Sequence, residues 1–322
     1  MIILSIETSC DETSIAVLQN RTVLSNVTIT QVLEQKRFGG IVPNLAAKLH
    51  VTNIQKVLKE ALLKSKKKKE EIDLVAYTAK PGLILCLQIG KIMAETIALY
   101  LNKEIISIDH LEGHIFSSLL DNSKAWSFPA LALLISGGHT QLYLLNDYHS
   151  LELIGDTVDD TIGECLDKVS VLMGYDYPGG PIIEKLAERG KNTFPLTIPK
   201  NDKSLIFSFS GLKSEIGRLI KKEGNKIDHS NLACSVQDVL VKILKKKISN
   251  VFSIYSKVNS FIIGGGVIAN KFIRSSLSFF LKEINKNLRL FIPNILYSTD
   301  NAAMIGVRAY FKLLKETDKK QN

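Results

Sequence analysis

The chain has 322 residues, 45% of them hydrophobic and 23% charged, with a formal net charge of +9 at pH 7. That length accommodates two domains of ordinary size, and the composition is that of a globular protein, not of a fibrous or disordered one. No apolar run reads as long enough to span a bilayer, Met1–Glu7 lacks the basic region of a secretory signal, and Cys10, Cys86, Cys165 and Cys234 form no CxxC pair. The expectation is a cytoplasmic protein with no membrane segment, disulfide framework or thiolate zinc site. The positive charge suits a polyanionic partner such as RNA. Lys outnumbers Arg by 34 to 7, however, a skew that AT-rich coding also produces, and Lys66–Lys69 reads as a solvated loop or helix end.

In chain order, Ile2–Ile6 is predicted as a strand, Glu7–Thr13 as a polar turn and Ser14–Leu18 as a second strand. Ala47–Lys64 reads as an amphipathic helix, Asp73–Thr78 as a strand and Leu87–Leu101 as a mostly buried helix. Ile105–Asp109 is a short strand leading into a helix that starts near His110. The opening pattern then returns: strand Ala130–Ile135, turn Ser136–Thr140, strand Gln141–Leu145. Two such units about 130 residues apart imply an internal duplication, each copy opening one α/β domain. Further helices are expected over Asp160–Leu172, over Leu232–Tyr255, from near Asn270, and from Asp300 through Leu314, with Phe261–Ile263 a strand feeding Gly264–Gly266. The domain boundaries are placed at 1–108 with about 300–322, and at 109–299.

Several groups of residues carry chemistry. His110 and His114 are four apart, so a helix projects both from one face, close enough to share a metal ion. Asp300 completes a half-open ligand set if the fold brings it near. The sequence His110-Leu111-Glu112-Gly113-His114 is a near miss for the zinc-protease motif, whose glutamate directly follows the first histidine. Here Glu112 lies about 200° around the helix from His110 and points away from such a metal. Ser136-Gly137-Gly138-His139-Thr140 can form a backbone nest for an anion, or be a plain hairpin turn. Gly264–Gly266, between a strand and a helix, allows close approach of a ligand. Asp160, Glu164 and Asp167 are spaced to share one helix face, and with the Tyr177-Pro178-Gly179-Gly180-Pro181 loop they suggest the wall of a binding site that suits ribose hydroxyls or an amine; a solvated face is the plainer alternative.

Seven motifs in order resemble the bacterial TsaD family, the tRNA N6-adenosine threonylcarbamoyltransferases. They are Ser5-Ile6-Glu7-Thr8-Ser9-Cys10-Asp11-Glu12-Thr13, the His110–His114 segment, Ser136–Gln141, Asp176–Pro181, Phe207-Ser208-Phe209-Ser210-Gly211-Leu212-Lys213, Gly265–Asn270 and Ser298–Asn301. The resemblance covers nearly the whole chain. It implies an actin/Hsp70/sugar-kinase-like fold, two duplicated α/β domains around a nucleotide cleft, with the metal and nucleotide site assigned to the 109–299 domain. It implies that His110, His114 and Asp300 hold one divalent ion, Fe2+ first and Zn2+ second. Leu134, Ile135, Ser136, Gly137, Gly138, Asp167, Gly180 and Asn270 are implied to contact the substrate, with Glu12 or Asp11 close to the reacting centre. The implied reaction moves threonylcarbamoyl from threonylcarbamoyl-AMP to N6 of the adenosine 3′ to the anticodon in tRNAs reading codons that begin with A. A TsaB-like paralogue and a TsaE-like ATPase are the implied partners. A kinase of the same superfold, or a non-catalytic scaffold, would lack the two histidines and the acid.

The chain departs from the family pattern in two places. It has Ala79-Lys80-Pro81-Gly82-Leu83 where the family reads Ala-Gly-Pro-Gly-Leu, and Pro43-Asn44-Leu45-Ala46-Ala47-Lys48 where the family reads Pro-Glu-Leu-Ala-Ser-Arg. Both changes bear on contacts with tRNA or partners, not on the metal and nucleotide positions.

Overall fold

A run of six buried residues, Ile2–Glu7, forms β1, around which the first half of the chain is built in the computed structural model, which describes residues 1–319. β2 (Glu12–Gln19) and β3 (Thr22–Thr30) continue from it as an antiparallel meander. After α1 (Val32–Lys36) and α2 (Pro43–Ser65), β4 (Leu74–Lys80) returns parallel to β1. α3 (Ile84–Leu101) leads to β5 (Glu104–Asp109), parallel to β4, and α4 (His110–Phe116) follows at once. The sheet order is β3-β2-β1-β4-β5. Both faces of β1 are covered, which is why apolar residues point to both sides of it. Ile2, Leu4 and Ile6 pack in one cluster with Ile54, Val57 and Ala61 of α2 and Ala94 and Ala98 of α3. On the other face Ile3 packs with Met304, Ile305 and Ala309 of the chain's last helix, Ala302–Lys319.

The second half repeats this plan. β6 (Ala130–Ile135), β7 (Thr140–Leu145) and β8 (Leu151–Gly155) form an antiparallel meander. α5 (Ile162–Leu172), α6 (Gly179–Ala187), α7 (Ser210–Glu223) and α8 (His229–Ile254) come next. β9 (Ser260–Gly264) then lies parallel to β6, α9 (Lys271–Ile284) follows, and β10 (Arg289–Phe291) lies parallel to β9. The last helix is α10. The order β8-β7-β6-β9-β10 matches β3-β2-β1-β4-β5 strand for strand. This is the duplicated α/β architecture that the sequence implies, of the actin/Hsp70/sugar-kinase-like type.

Four expectations need correction. The chain divides into residues 1–125 with the segment from Pro293 onward, and Trp126–Ile292, instead of breaking at 108 and 300. α4 stays with the first unit because it packs on α10: a Cβ on Gly113 would lie 3.0 Å from Ile305 Cδ1, and the Phe116 and Phe311 rings are 5.6 Å apart. The His110, His114 and Asp300 set therefore belongs to the first unit, while the glycine-rich loops belong to the second. α3 is not mostly buried. Only the small residues Cys86, Gly90, Ala94 and Ala98 are fully buried, Ile89, Met93, Ile97 and Leu101 pack half-buried against the core, and Ile84, Ile92, Leu99 and Tyr100 are exposed. α3 also has the length and composition to cross a membrane, which the sequence reading assigned to no segment. Finally, Gly179-Gly180-Pro181 is the first turn of α6, where a rigid loop was expected. β3, β8, β10 and α7 are further elements that the sequence reading did not assign.

The strand-to-helix turn after β9 is built on one glycine. Gly265 has φ +95°, and a Cβ there would sit 2.3 Å from the Ile135 carbonyl oxygen of neighbouring β6. Backbone cannot swing away as a side chain can. Gly265→Ala is expected to lower the unfolding free energy by about 2–4 kcal/mol, measured by urea denaturation of the purified protein.

A candidate metal centre and two glycine-rich loops

α4 begins where β5 ends. Asp109 caps it, its Oδ1 accepting hydrogen bonds from Leu111 N at 2.9 Å and Glu112 N at 3.4 Å. The cap fixes the first turn and so sets the direction of His110 and His114, whose ring centroids are 4.7 Å apart. Asp300 arrives from the other end of the sequence. The first turn of α10 is tied to the central sheet by Ser5 Oγ donating to the Ala302 carbonyl at 2.6 Å and by Ala302 N donating to Ser14 Oγ at 2.9 Å. These bonds bring Asp300 Oδ1 to 3.0 Å from His114 Nε2 and 3.6 Å from His110 Nε2. One ligand atom from each of the three residues lies within 4.8 Å of the others.

The set fits a metal ion. His114 is fully buried, and neither of its ring nitrogens makes a hydrogen bond. A buried imidazole without hydrogen bonds is costly unless something else takes the lone pair, and two imidazoles with one carboxylate are a donor set for a divalent first-row metal. Burial lowers the His110 pKa, but the adjacent Glu7 and Asp300 carboxylates outweigh it and push it up to about 9. His110 thus sits where a positive charge is wanted, and a proton or a metal ion supplies it. Glu112 points away, as the spacing predicted: its Oε2 accepts from buried Arg308 Nε at 2.6 Å. It is in no position to activate a water held at the histidines, which removes the protease reading.

Asp11 ends the turn between β1 and β2 in the same unit, and Glu12 opens β2. Burial raises both carboxyls above their ordinary range, and the Asp300 charge adds to it. Neighbouring carboxylates shielded from water cannot all ionise cheaply, so the pair holds a proton more readily than exposed acids do. The turn is clamped from α2 by His50, a residue no sequence signal singled out. Its Nε2 is 2.9 Å from the Cys10 carbonyl and its Nδ1 is 2.8 Å from Thr13 Oγ1. A carbonyl only accepts, so Nε2 carries the hydrogen and Nδ1 accepts from the Thr13 hydroxyl. Glu7 was also missed, although it lies inside a quoted motif. It is fully buried and accepts from Ser9 N, Thr78 Oγ1 and His110 Nδ1.

In the second unit, the loop after β6 carries Ser136, Gly137 and Gly138, preceded by the fully buried Leu134 and Ile135. Ser136 closes the turn by donating its N–H to the His139 carbonyl at 2.8 Å and accepting at Oγ from His139 N at 3.1 Å. Gly137 and Gly138 are exposed, with nothing within 4 Å of where a Cβ would be. The loop rests on the start of α5, where a Cβ on Gly163 would be 2.6 Å from Gly137 Cα, and Thr161 Oγ1 donates to the Gly137 carbonyl at 2.6 Å. An open glycine face on a fixed base suits an incoming anion.

The remaining predicted substrate contacts are used within the fold. Asp167 Oδ1 accepts from Gly179 N at 2.7 Å, and the Gly180 amide also helps offset a rise in its pKa caused by burial. Asn270 caps α9, accepting from Ile273 N at 3.0 Å and donating from Nδ2 to Gln237 Oε1 at 2.7 Å. The three carboxylates read as one face do not act together: Asp160 and Glu164 both reach Lys168, while Asp167 turns to α6. Asp159, which the sequence marks only as an acid flanking that helix, gathers Ser208 Oγ at 2.6 Å, Phe209 N at 2.7 Å and Ser210 Oγ at 2.7 Å, and so fixes the Phe207–Lys213 motif at the start of α7.

A duplicated α/β protein in which two histidines and an acid meet at one point has the makings of a metal-assisted enzyme. Comparison with known proteins then fixes the kind. Residues 22–307 match the model of the TsaD family, described as tRNA N6-adenosine threonylcarbamoyltransferase. Relatives of that name include one from Mesoplasma florum, 46% identical over 97% of this chain and 99% of its own, and one from Staphylococcus aureus, 41% identical over 97% and 91%. The chain belongs to the TsaD family; it is a transferase that modifies tRNA. Among solved structures, HypF from T.kodakarensis has a TM-score of 0.65 at 14% identity, over 98% of this chain. A full-length HypF in a phosphate- and nucleotide-bound form has a TM-score of 0.60 at 12% identity, also over 98% of this chain. This chain spans about half of each of those longer chains, 48% and 56%, and the likeness is one of fold.

The His50 clamp has a pH signature. Burial holds the His50 pKa below its ordinary 6.5, although the Cys10 carbonyl raises it. The unfolded chain then binds the proton first, so stability is intact above about pH 6.5 and falls as the pH drops through the folded pKa. His50→Gln is expected to lose stability at pH 7.5 and to show a flatter decline between pH 7 and 5 than the wild type, read from parallel urea titrations.

Proposed function

We propose that this enzyme transfers threonylcarbamoyl from threonylcarbamoyl-AMP to N6 of the adenosine 3′ to the anticodon in tRNAs reading codons that begin with A, releasing AMP. The observation that carries the reading is His114: buried, without hydrogen bonds, with Nε2 3.0 Å from Asp300 Oδ1. His110, His114 and Asp300 would hold one divalent ion, with Fe2+ preferred for a two-histidine, one-carboxylate set and Zn2+ next. When bound, that ion supplies Lewis-acid polarisation and a fixed seat for the threonylcarbamoyl group.

The chain's own residues do the rest. The N6 amine is a weak nucleophile and must lose a proton as the new C–N bond forms. Glu12, with Asp11 beside it, accepts that proton, and burial raises its pKa above the ordinary carboxylate range, which makes it a stronger base than an exposed acid. The mixed anhydride breaks at the bond between the carbamoyl carbon and the phosphate oxygen. Ser136, Gly137 and Gly138, with the ends of Leu134 and Ile135, receive the negative charge that collects on the departing AMP. Gly180 approaches the nucleoside. Asp167 and Asn270 act at that site by holding the first turns of α6 and α9 in place.

The reading extends to partners. A TsaB-like paralogue and a TsaE-like ATPase are proposed to work with the enzyme in the cytoplasm. The exposed apolar side chains of α3, namely Ile84, Ile92, Leu99 and Tyr100, favour a protein partner on that helix. Lys91 and Glu95 lie among them and are ill suited to lipid.

In a reaction of purified enzyme, partner proteins, threonylcarbamoyl-AMP and tRNA, nucleoside mass spectrometry should detect the threonylcarbamoyl nucleoside. Several kcal/mol of transition-state stabilisation are at stake, so His110→Ala and His114→Ala should each lower the rate by about 100-fold or more. Circular dichroism should stay unchanged. Full activity in both variants would remove the metal from the mechanism.

A further inference from the structure

Three hydrogen-bond donors converge on Glu7. Ser9 N lies 2.6 Å from Oε1, and Thr78 Oγ1 and His110 Nδ1 lie 2.5 Å and 3.1 Å from Oε2. A carboxylate only accepts, so the His110 nitrogen facing it must carry the hydrogen. The other nitrogen, Nε2, is the one that faces Asp300. We propose that Glu7 is a positioning residue for the metal centre, fixing the His110 ring and holding the hydrogen on Nδ1 so that the Nε2 lone pair faces the ion. This rests on reading His110, His114 and Asp300 as a metal site.

No other side chain in the pocket can do this. Ser9 Oγ also lies within reach of His110 Nδ1, at 3.2 Å, but a hydroxyl donates as readily as it accepts and so enforces neither tautomer. Gln would not replace Glu7. Its amide oxygen must face Ser9 N–H, or two donors collide, and that turns its NH2 toward His110 Nδ1. The ring would then accept at Nδ1 and carry its hydrogen on Nε2, where the ion should bind. Carboxylate–histidine–metal pairs of this kind contribute 10–100-fold to metal affinity.

Two measurements on the full chain test the proposal without reference to catalysis. The first is a competition titration of zinc against a chromophoric chelator, on wild type, Glu7→Gln and His110→Ala. Glu7→Gln should bind zinc about 10–100-fold more weakly than wild type, and His110→Ala more weakly again. Equal affinity of Glu7→Gln and wild type overturns the proposal while leaving the metal reading standing. No zinc binding by wild type overturns the metal reading and the proposal with it. The second needs no variant to fold. In zinc-loaded wild type, 15N-edited spectra of the histidine rings should show His110 protonated at Nδ1 and metal-bound at Nε2. Coordination through Nδ1, or a hydrogen on Nε2, overturns the proposal.

Discussion

A single buried carboxylate organises the first unit. Glu7 ends β1 with no exposure, and burying that charge unpaired would cost several kcal/mol. The cost is met by donors from three places: the turn at Ser9, β4 at Thr78 and the first residue of α4 at His110. Burial raises the Glu7 pKa, but the charge and hydrogen bond of His110 outweigh it, and the carboxyl ends below its ordinary range. The ends of two parallel strands and the helix that follows the third are thereby tied at one point. Active sites of open α/β sheets form at the carboxyl ends of their strands, and here the element that ties those ends together also faces the site.

The duplication explains how one plan yields two chemistries. The β1–β2 turn of the first unit and the β6–β7 turn of the second are equivalent in the strand order. The first carries Glu7, Asp11 and Glu12, which attract a cation or take up a proton. The second carries Ser136, Gly137, Gly138 and His139, with no acid, which suits a phosphate. After duplication, the sign of charge each turn prefers is set by a few residues, while the flanking strands keep the same pairing and burial.

What the sequence disclosed follows from the range of the interactions involved. The hairpins and the histidine pair depend on residues within five positions of one another, and their spacing alone revealed them. Asp300 could be attached to the histidines only by resemblance, because the bonds that place it run from Ser5 and Ser14 across nearly the whole chain. His50 reads as an ordinary helix residue until its partners, Cys10 and Thr13, are seen across the sheet. The domain boundary was misplaced because α4 follows a strand directly, with no linker, and only its packing on α10 shows which unit owns it. α3 was misjudged because apolar content was taken for burial; only its small residues are fully buried, while Ile84, Ile92, Leu99 and Tyr100 point out.

The departures from the family pattern can be weighed by the same physics. Asn44 and Lys48 are exposed in the first two turns of α2, and Ala47 is half-buried beside them. The next inward-facing residue, His50, keeps its clamp on the Cys10–Thr13 turn. Lys80 ends β4 with its side chain 78% exposed and Nζ 4.0 Å from Asp109 Oδ2, a pair worth at most about 1 kcal/mol in water. Asp109 caps α4 through its other oxygen, so the lysine adds a charge beside the cap without competing for it. What these changes alter is the charge and shape of the surface that surrounds an unchanged interior. A surface is where a bound macromolecule is met, so selection acting on them would act through the partners of this enzyme and not through the geometry of its histidines.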